Sequence, residues 1–160
     1  MSFPIVVRAF LFNPLGQILL AKHTKDTPWV LPGGHLEEKE NVHEAIQREI
    51  LEEFGIHSHF FEIDSEETLY HKGKKLRNMP LPISIYELSY RSKEGKDKSR
   101  IEYVFLMETD ETIKSTQASE IYEYEWFDAD DILIMKPNID IYDFTLEMLE
   151  KIIGNNDENE

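Results

Sequence analysis

Residues 34–56, GHLEEKENVHEAIQREILEEFGI, decide the fold. Asn41 is a good N-cap and Glu44, three residues on, completes a capping box. Gly55 stands where a left-handed residue closes a helix, so the spacing predicts a helix over 41–54. On a wheel turning about 100° per residue from Glu49, Val42 lies at about 20°, Ala45 at about 320° and Ile46 at about 60°. Ile50 and Phe54 follow at about 100° and about 140°, which makes one apolar stripe. Glu53, at about 40°, falls with Glu49 inside that stripe, and Glu52, at about 300°, falls at its edge. Carboxylates on an apolar face carry a desolvation cost, and their repulsion adds to it. A cation relieves both. Acids at i, i+3 and i+4 are expected to converge on one hard ion, magnesium or manganese, with Arg48 neutralising part of the cluster. A glutamate-rich solvated face is the plainer reading of such a helix, and Glu37, Glu38 and Glu44 are left to it.

Upstream, residues 3–13 (FPIVVRAFLFN) are rich in β-branched and aromatic side chains and predict a strand. Asn13-Pro14-Leu15-Gly16 is a turn signal, and residues 17–22 return as a second strand. Pro32-Gly33-Gly34 then reads as a chain break. Downstream, strands are expected near 60–70, 81–90, 101–109 and 122–127, and a helix near 141–153, apolar at helical spacing. Strands, one helix, more strands and a last helix predict an α+β fold, a mixed β-sheet sandwiched between helices. One domain over 1–153 and a disordered acidic tail over 154–160 (GNNDENE) complete the expectation.

The 160 residues suit a single domain, and 41% hydrophobic with 31% charged residues is a globular composition. No apolar run is long enough to span a membrane, and residues 1–8 lack the layout of a secretory signal, so a cytoplasmic protein is expected. Without cysteine there are no disulfides, thiolate metal sites or thiol nucleophiles. A net charge of −15 argues against general binding to nucleic-acid backbones. The charge is uneven, however: residues 71–100 carry +6 and the remainder −21. Solvated hairpin loops explain that plainly, and a local anchor for an anionic substrate explains it more sharply.

The spacing in residues 34–56 resembles the signature of the Nudix hydrolase family. Its fixed positions are Gly34, Glu40, Arg48, Glu49, Ile50, Glu52, Glu53, Gly55 and Ile56, without a departure. Seven fixed identities at roughly one in fifteen each match by chance in about one window in 10⁸. The flanks resemble the family as well, from Trp29-Val30-Leu31-Pro32-Gly33 before the box to the Glu-rich segment ending in Trp126.

The resemblance implies hydrolysis of a diphosphate linkage in a nucleoside diphosphate derivative, with divalent metal and water. Carried over by position, Glu49, Glu52 and Glu53 would be metal ligands, joined by the backbone carbonyl of Gly33. Arg48 would hold Glu49 through a charge-assisted hydrogen bond, and Glu40 would fix the loop against the helix. A further glutamate from a late loop would serve as base or ligand, with Glu120 the first candidate and Glu123 the second. Arg8 reads as a candidate phosphate contact on an otherwise apolar strand, Trp29 and Phe10 as candidate faces for a base, and Lys72, Lys74 and Lys75 as candidates for substrate capture. His35 and His43 read as loop or surface residues.

Members specific for ADP-ribose tend to carry a proline about fifteen residues after the box, where His71 stands; those acting on dinucleoside polyphosphates tend to carry a tyrosine about seventeen after it, where Gly73 stands. The default substrate is therefore a small nucleoside triphosphate or modified nucleotide, and a homodimer is left open. A non-catalytic nucleotide sensor on the same fold is the alternative, opposed by the complete acid set. An isomerase of diphosphate esters would lean on a cysteine that is not there.

Overall fold

A computed structural model describes residues 3–61 and 68–157. The elements are β1 (Ile5–Phe12), β2 (Ile18–Lys22), β3 (Gly33–His35), α1 (Val42–Phe54), β4 (His59–Phe60), β5 (Thr68–His71), β6 (Lys74–Arg77), β7 (Ser84–Arg91), β8 (Asp97–Glu108), β9 (Glu123–Phe127), α2 (Ala129–Leu133) and α3 (Asp143–Asp157). Seven strands form one mixed sheet in the order β4-β8-β1-β2-β9, with β3 against β1 and β7 against β8. β1 runs parallel to β8 over its whole length and antiparallel to β3, while β5 and β6 form a separate hairpin.

The first turn forms because Asn13 Oδ1 accepts from the amides of Leu15 and Gln17, and Gly16 supplies the positive φ. α1 begins with the expected reciprocal box between Asn41 and Glu44 and ends on a left-handed Gly55. Its apolar face (Ala45, Ile46, Ile50, Phe54) packs on Val7, Ala9, Leu11 and Phe105 on one side of the sheet. On the other side Phe10, Ile18, Leu20 and Val104 meet Ile132 of α2 and Leu146 and Leu149 of α3. Each large side chain buried here contributes about 2 kcal/mol. The expected sheet between helices is thus present, with one core on each face.

Three expectations change. Gly33–His35 is not a break but a short strand, because its backbone pairs with Val6, Val7 and Arg8. The chain does not leave the helix at Gly154: α3 continues to Asp157, since no proline follows and a lone glycine near a helix end costs only about 1 kcal/mol. The rest of the expected acidic tail, 158–160, lies outside the described residues. The expected strand over 60–70 is found in two pieces at its ends, His59–Phe60 and Thr68–His71, and 62–67 are outside the described residues. Lys72 and Gly73, both at positive φ, turn β5 into β6. None of the described helices is long and apolar enough to cross a membrane.

Candidate active site

Two adjacent glycines let the box strand lie where it does. A Cβ on Gly33 would strike the backbone carbonyl of Val7, and one on Gly34 would sit 2.5 Å from the carboxylate of Glu49. The Glu49 side chain therefore occupies the space that Gly34 leaves, against the backbone of the strand pair β1–β3. The preceding segment is fixed as well, since Ala9 N donates to Pro32 O at 3.1 Å.

Arg48 gathers the loop and the helix. Its Nε and Nη2 donate to the two carboxylate oxygens of Glu40 at 3.0 and 2.8 Å. Nη2 also reaches the His35 carbonyl at 3.1 Å, and Nη1 reaches Glu49 at 3.0 Å and Glu52 at 3.1 Å. Glu40 in turn accepts from the Glu37 amide at 2.8 Å. The hydrogen bonds from Arg48 hold the Glu40 carboxyl below the usual range, and Glu40 pushes the Arg48 guanidinium further up. One cation thus ties together three of the box acids.

Glu53 has no share in that cation. The residue is 3% exposed, and burial, followed by the hydrogen bond it shares with Glu49, pushes its carboxyl up to about 9. The charges of Glu49 and Glu120 raise it further, and that of Arg8 opposes them. Glu120 is brought there by the turn before β9: Gln117 N donates to the Glu53 carbonyl at 2.9 Å, and Glu120 N to Gln117 O at 3.0 Å. His23 Nδ1 lies 2.9 Å from the Glu120 carbonyl. Glu123 opens β9, exposed and paired in register with Lys22.

The expected convergence of Glu49, Glu52 and Glu53 is not found. Among the described residues no three His, Asp or Glu groups gather at metal-binding spacing. Glu52 and Glu53 fall about 100° apart on the helix, so they turn to opposite sides of Glu49. Glu52 is 52% exposed at its side chain and drawn to Arg48, while Glu53 turns inward. The donor chemistry nevertheless fits a hard dication beside Glu49 and Glu53: carboxyl oxygen only, with Glu53 kept from ionising first by burial and then by its acidic neighbours.

The other candidates separate. Arg8 is an ion-pair residue, its Nε 2.6 Å from Glu102 and its Nη1 donating to the Leu31 carbonyl at 3.2 Å. Trp29 packs edge-to-face on Phe127 at 5.0 Å with Lys22 over its ring, and Phe10 is core. His43 is wedged against Phe60 and Phe105, with Nε2 2.7 Å from the Pro80 carbonyl. Lys72, Lys74 and Lys75 ride the exposed β5–β6 hairpin, off the main sheet, whose foot at Arg77 and Pro80 lines a cleft with the solvated side of α1. Among the described residues no ion pair or hydrogen bond links them to Glu49 or Glu53.

A pocket of about 400 Å³ on the α3 face of the sheet went unread in the sequence. Arg8, Tyr86, Arg100 and Glu102 line it with Tyr142 and Phe144. Glu102, 1% exposed, accepts from Arg8 Nε, Tyr86 Oη (3.0 Å) and Arg100 Nε (2.9 Å). The period-two alternation Tyr86, Leu88, Tyr90 was the signal that three side chains share one side of β7.

The description "NUDIX domain" fits residues 2–148 as a family model. An RNA pyrophosphohydrolase of Wolbachia pipientis is 28% identical over 133 residues, 79% of this chain and 75% of that protein. In fold, the chain matches a NUDIX-family hydrolase from Clostridium perfringens with a TM-score of 0.68 at 21% identity, covering 97% of this chain and 99% of that one. A NUDIX hydrolase from Nitrosomonas europaea matches with a TM-score of 0.68 at 18% identity, over 96% and 90%. With the unbroken box folded onto a capped helix and a buried glutamate in its midst, the chain belongs to the Nudix family and is a Nudix hydrolase.

Proposed function

We propose that this enzyme hydrolyses the diphosphate linkage of a nucleoside di- or triphosphate derivative in a reaction that depends on magnesium or manganese. The observation that carries the reading is the buried Glu53 carboxyl beside the charges of Glu49 and Glu120, itself without an ion pair among the described residues. Glu49, Glu53 and Glu52 would hold the metal, with the Gly33 carbonyl and Glu120 as further ligands. When bound, the metal supplies Lewis acidity and charge neutralisation on the diphosphate.

The residues of the chain do the rest. Arg48 holds Glu49 and Glu40 in fixed geometry, so the acids need no rearrangement when substrate arrives. Glu120 Oε takes the proton from the attacking water as the new phosphorus–oxygen bond forms and the bridging bond breaks. A nucleoside monophosphate or phosphate-bearing fragment leaves. The aromatic pocket beside Arg8 takes the nucleoside portion, and the +6 stretch with Lys72, Lys74 and Lys75 draws in the anionic substrate.

The test is a panel of nucleoside di- and triphosphates and nucleotide-linked diphosphates, assayed with magnesium and with product identification. Because the Wolbachia relative is named for RNA, the panel includes a 5′-triphosphorylated oligonucleotide. Hydrolysis of at least one of these substrates, lost on chelation and in Glu53→Gln, is expected. Activity that survives chelation would sink the metal-dependent reading, and binding without turnover across the panel would favour the sensor.

A further inference from the structure

We infer that the Arg100–Glu102–Arg8 network makes the α3-side pocket a reader of 6-oxopurine rings. The inference rests on the proposed nucleotide reading and names the base that the site selects. Two features define the ligand. The walls are aromatic: Tyr142 and Phe144 stack at 5.3 Å and 6°, and Tyr86 lies 5.8 Å from Phe144. Such faces suit a planar ring system.

The second feature is the sign of the unused hydrogen-bonding capacity. A carboxylate offers about four acceptor sites and a guanidinium five N–H donors. Glu102 is already engaged by three donors. Arg8 spends Nε and Nη1 on Glu102 and Leu31. Arg100 spends Nε on Glu102 and lies over the Tyr90 ring at 5.4 Å. Among the described residues, Nη1 and Nη2 of Arg100 have no protein partner. Two arginines around one glutamate leave a surplus of donors, so the pocket calls for acceptors.

On a purine ring the neighbouring acceptors are the oxygen at C6 and N7 of a 6-oxopurine, and a guanidinium fork matches that pair in two parallel bonds. Adenine presents an amino group where the oxygen would be, setting donors against donors. That mismatch leaves polar groups unpaired inside the site, which is what rejects a near-isosteric ring. A pyrimidine lacks N7 and covers less of the aromatic wall. A phosphate also carries acceptors, so the experiment separates the two sources.

Nucleosides provide that separation, because they carry the base without phosphate and need no metal. Calorimetric titration of the full chain with inosine, guanosine and adenosine is expected to show the two 6-oxopurines binding at least tenfold tighter. Arg100→Lys keeps a cation beside Glu102 but loses the fork, so the preference should fall below threefold with the melting temperature retained. Equal binding of all three nucleosides, or none at all, overturns the inference, as does a preference that Arg100→Lys leaves intact. So does a variant with unchanged nucleoside binding but weakened binding of inorganic tripolyphosphate, since Arg100 is then a phosphate contact. If the nucleoside preference is found and no nucleotide is hydrolysed, the proposed activity fails and the base reading stands.

Discussion

Arg48 and Glu102 are the centres of two opposite networks. Around Arg48 one cation is shared by Glu40, Glu49 and Glu52, and Glu53 behind them makes no ion pair among the described residues. Around Glu102 one acid is shared by Arg8, Arg100 and the Tyr86 hydroxyl, and guanidinium donors are left over. The first region carries excess negative charge on the α1 face, the second excess donors on the α3 face. The diphosphate substrate proposed above would use both, a cation at its reacting end and hydrogen-bond donors around its other end. The comparison teaches that the surplus, not the pairing, marks each region's ligand.

The most damaging way to break the comparison is to remove the acid surplus. Glu53→Gln should lower kcat by about two to four orders of magnitude on the best substrate. It should also abolish a magnesium-induced rise in melting temperature, which follows from native-state binding. A variant with near-full activity would put the reacting centre elsewhere.

Gly34→Ala tests position rather than charge. Its methyl would displace the Glu49 carboxylate, and a misplacement of about 1 Å costs about a hundredfold in rate. Rate assays beside urea unfolding would separate the effects: kcat should fall while the midpoint stays near wild type. An equal fall in both would mean that the glycine serves the fold alone.

For the opposite network the expected effect is on stability. Glu102→Leu leaves two arginines facing an apolar side chain and should cost about 3 kcal/mol in urea unfolding. The sign of the pH dependence follows from the two arginines, which against the raising effect of burial hold the Glu102 carboxyl below its ordinary value. A carboxyl lowered in the folded state binds fewer protons there than when unfolded at about 4.3. Its contribution is therefore complete above about pH 5 and is lost as pH falls through the folded value. The variant's stability should fall less steeply than wild type below pH 5; parallel curves would count against Glu102 as the source.

The smallest effect is expected at the hairpin. Replacing Lys72, Lys74 and Lys75 with Gln should raise KM about threefold at low salt with kcat unchanged, and the difference should vanish at high salt. An unchanged KM would reduce the +6 stretch to solvated loops.

The fold and the box were legible for one reason: local chemistry and tertiary role coincide there. Asn41, Glu44 and Gly55 cap α1 by contacts within a few residues, and the wheel correctly sends Glu53 inward. Where a role depends on a partner distant in sequence, the signal fades. Gly33–His35 becomes a strand only through β1, and Glu102 becomes a centre only because Arg8 lies 94 residues away. Arg8 was rightly marked as unusual on its strand, yet its partner could not be read from spacing. Glu52 shows the reverse, since its i+3 spacing from Glu49 predicts convergence, while here its half-exposed carboxylate is held by Arg48.

The bond from the Gln117 amide to the Glu53 carbonyl joins the late turn to the last turn of α1 through the backbone of a proposed metal ligand. The side chain of Glu53 and the loop carrying Glu120 are therefore not independently adjustable parts. Displacing that loop would break this bond at the end of the helix that carries the acids, so a change at Glu120 would be felt at Glu53. Lengthening the loop by an insertion would relax a mechanical constraint rather than add freedom at one residue.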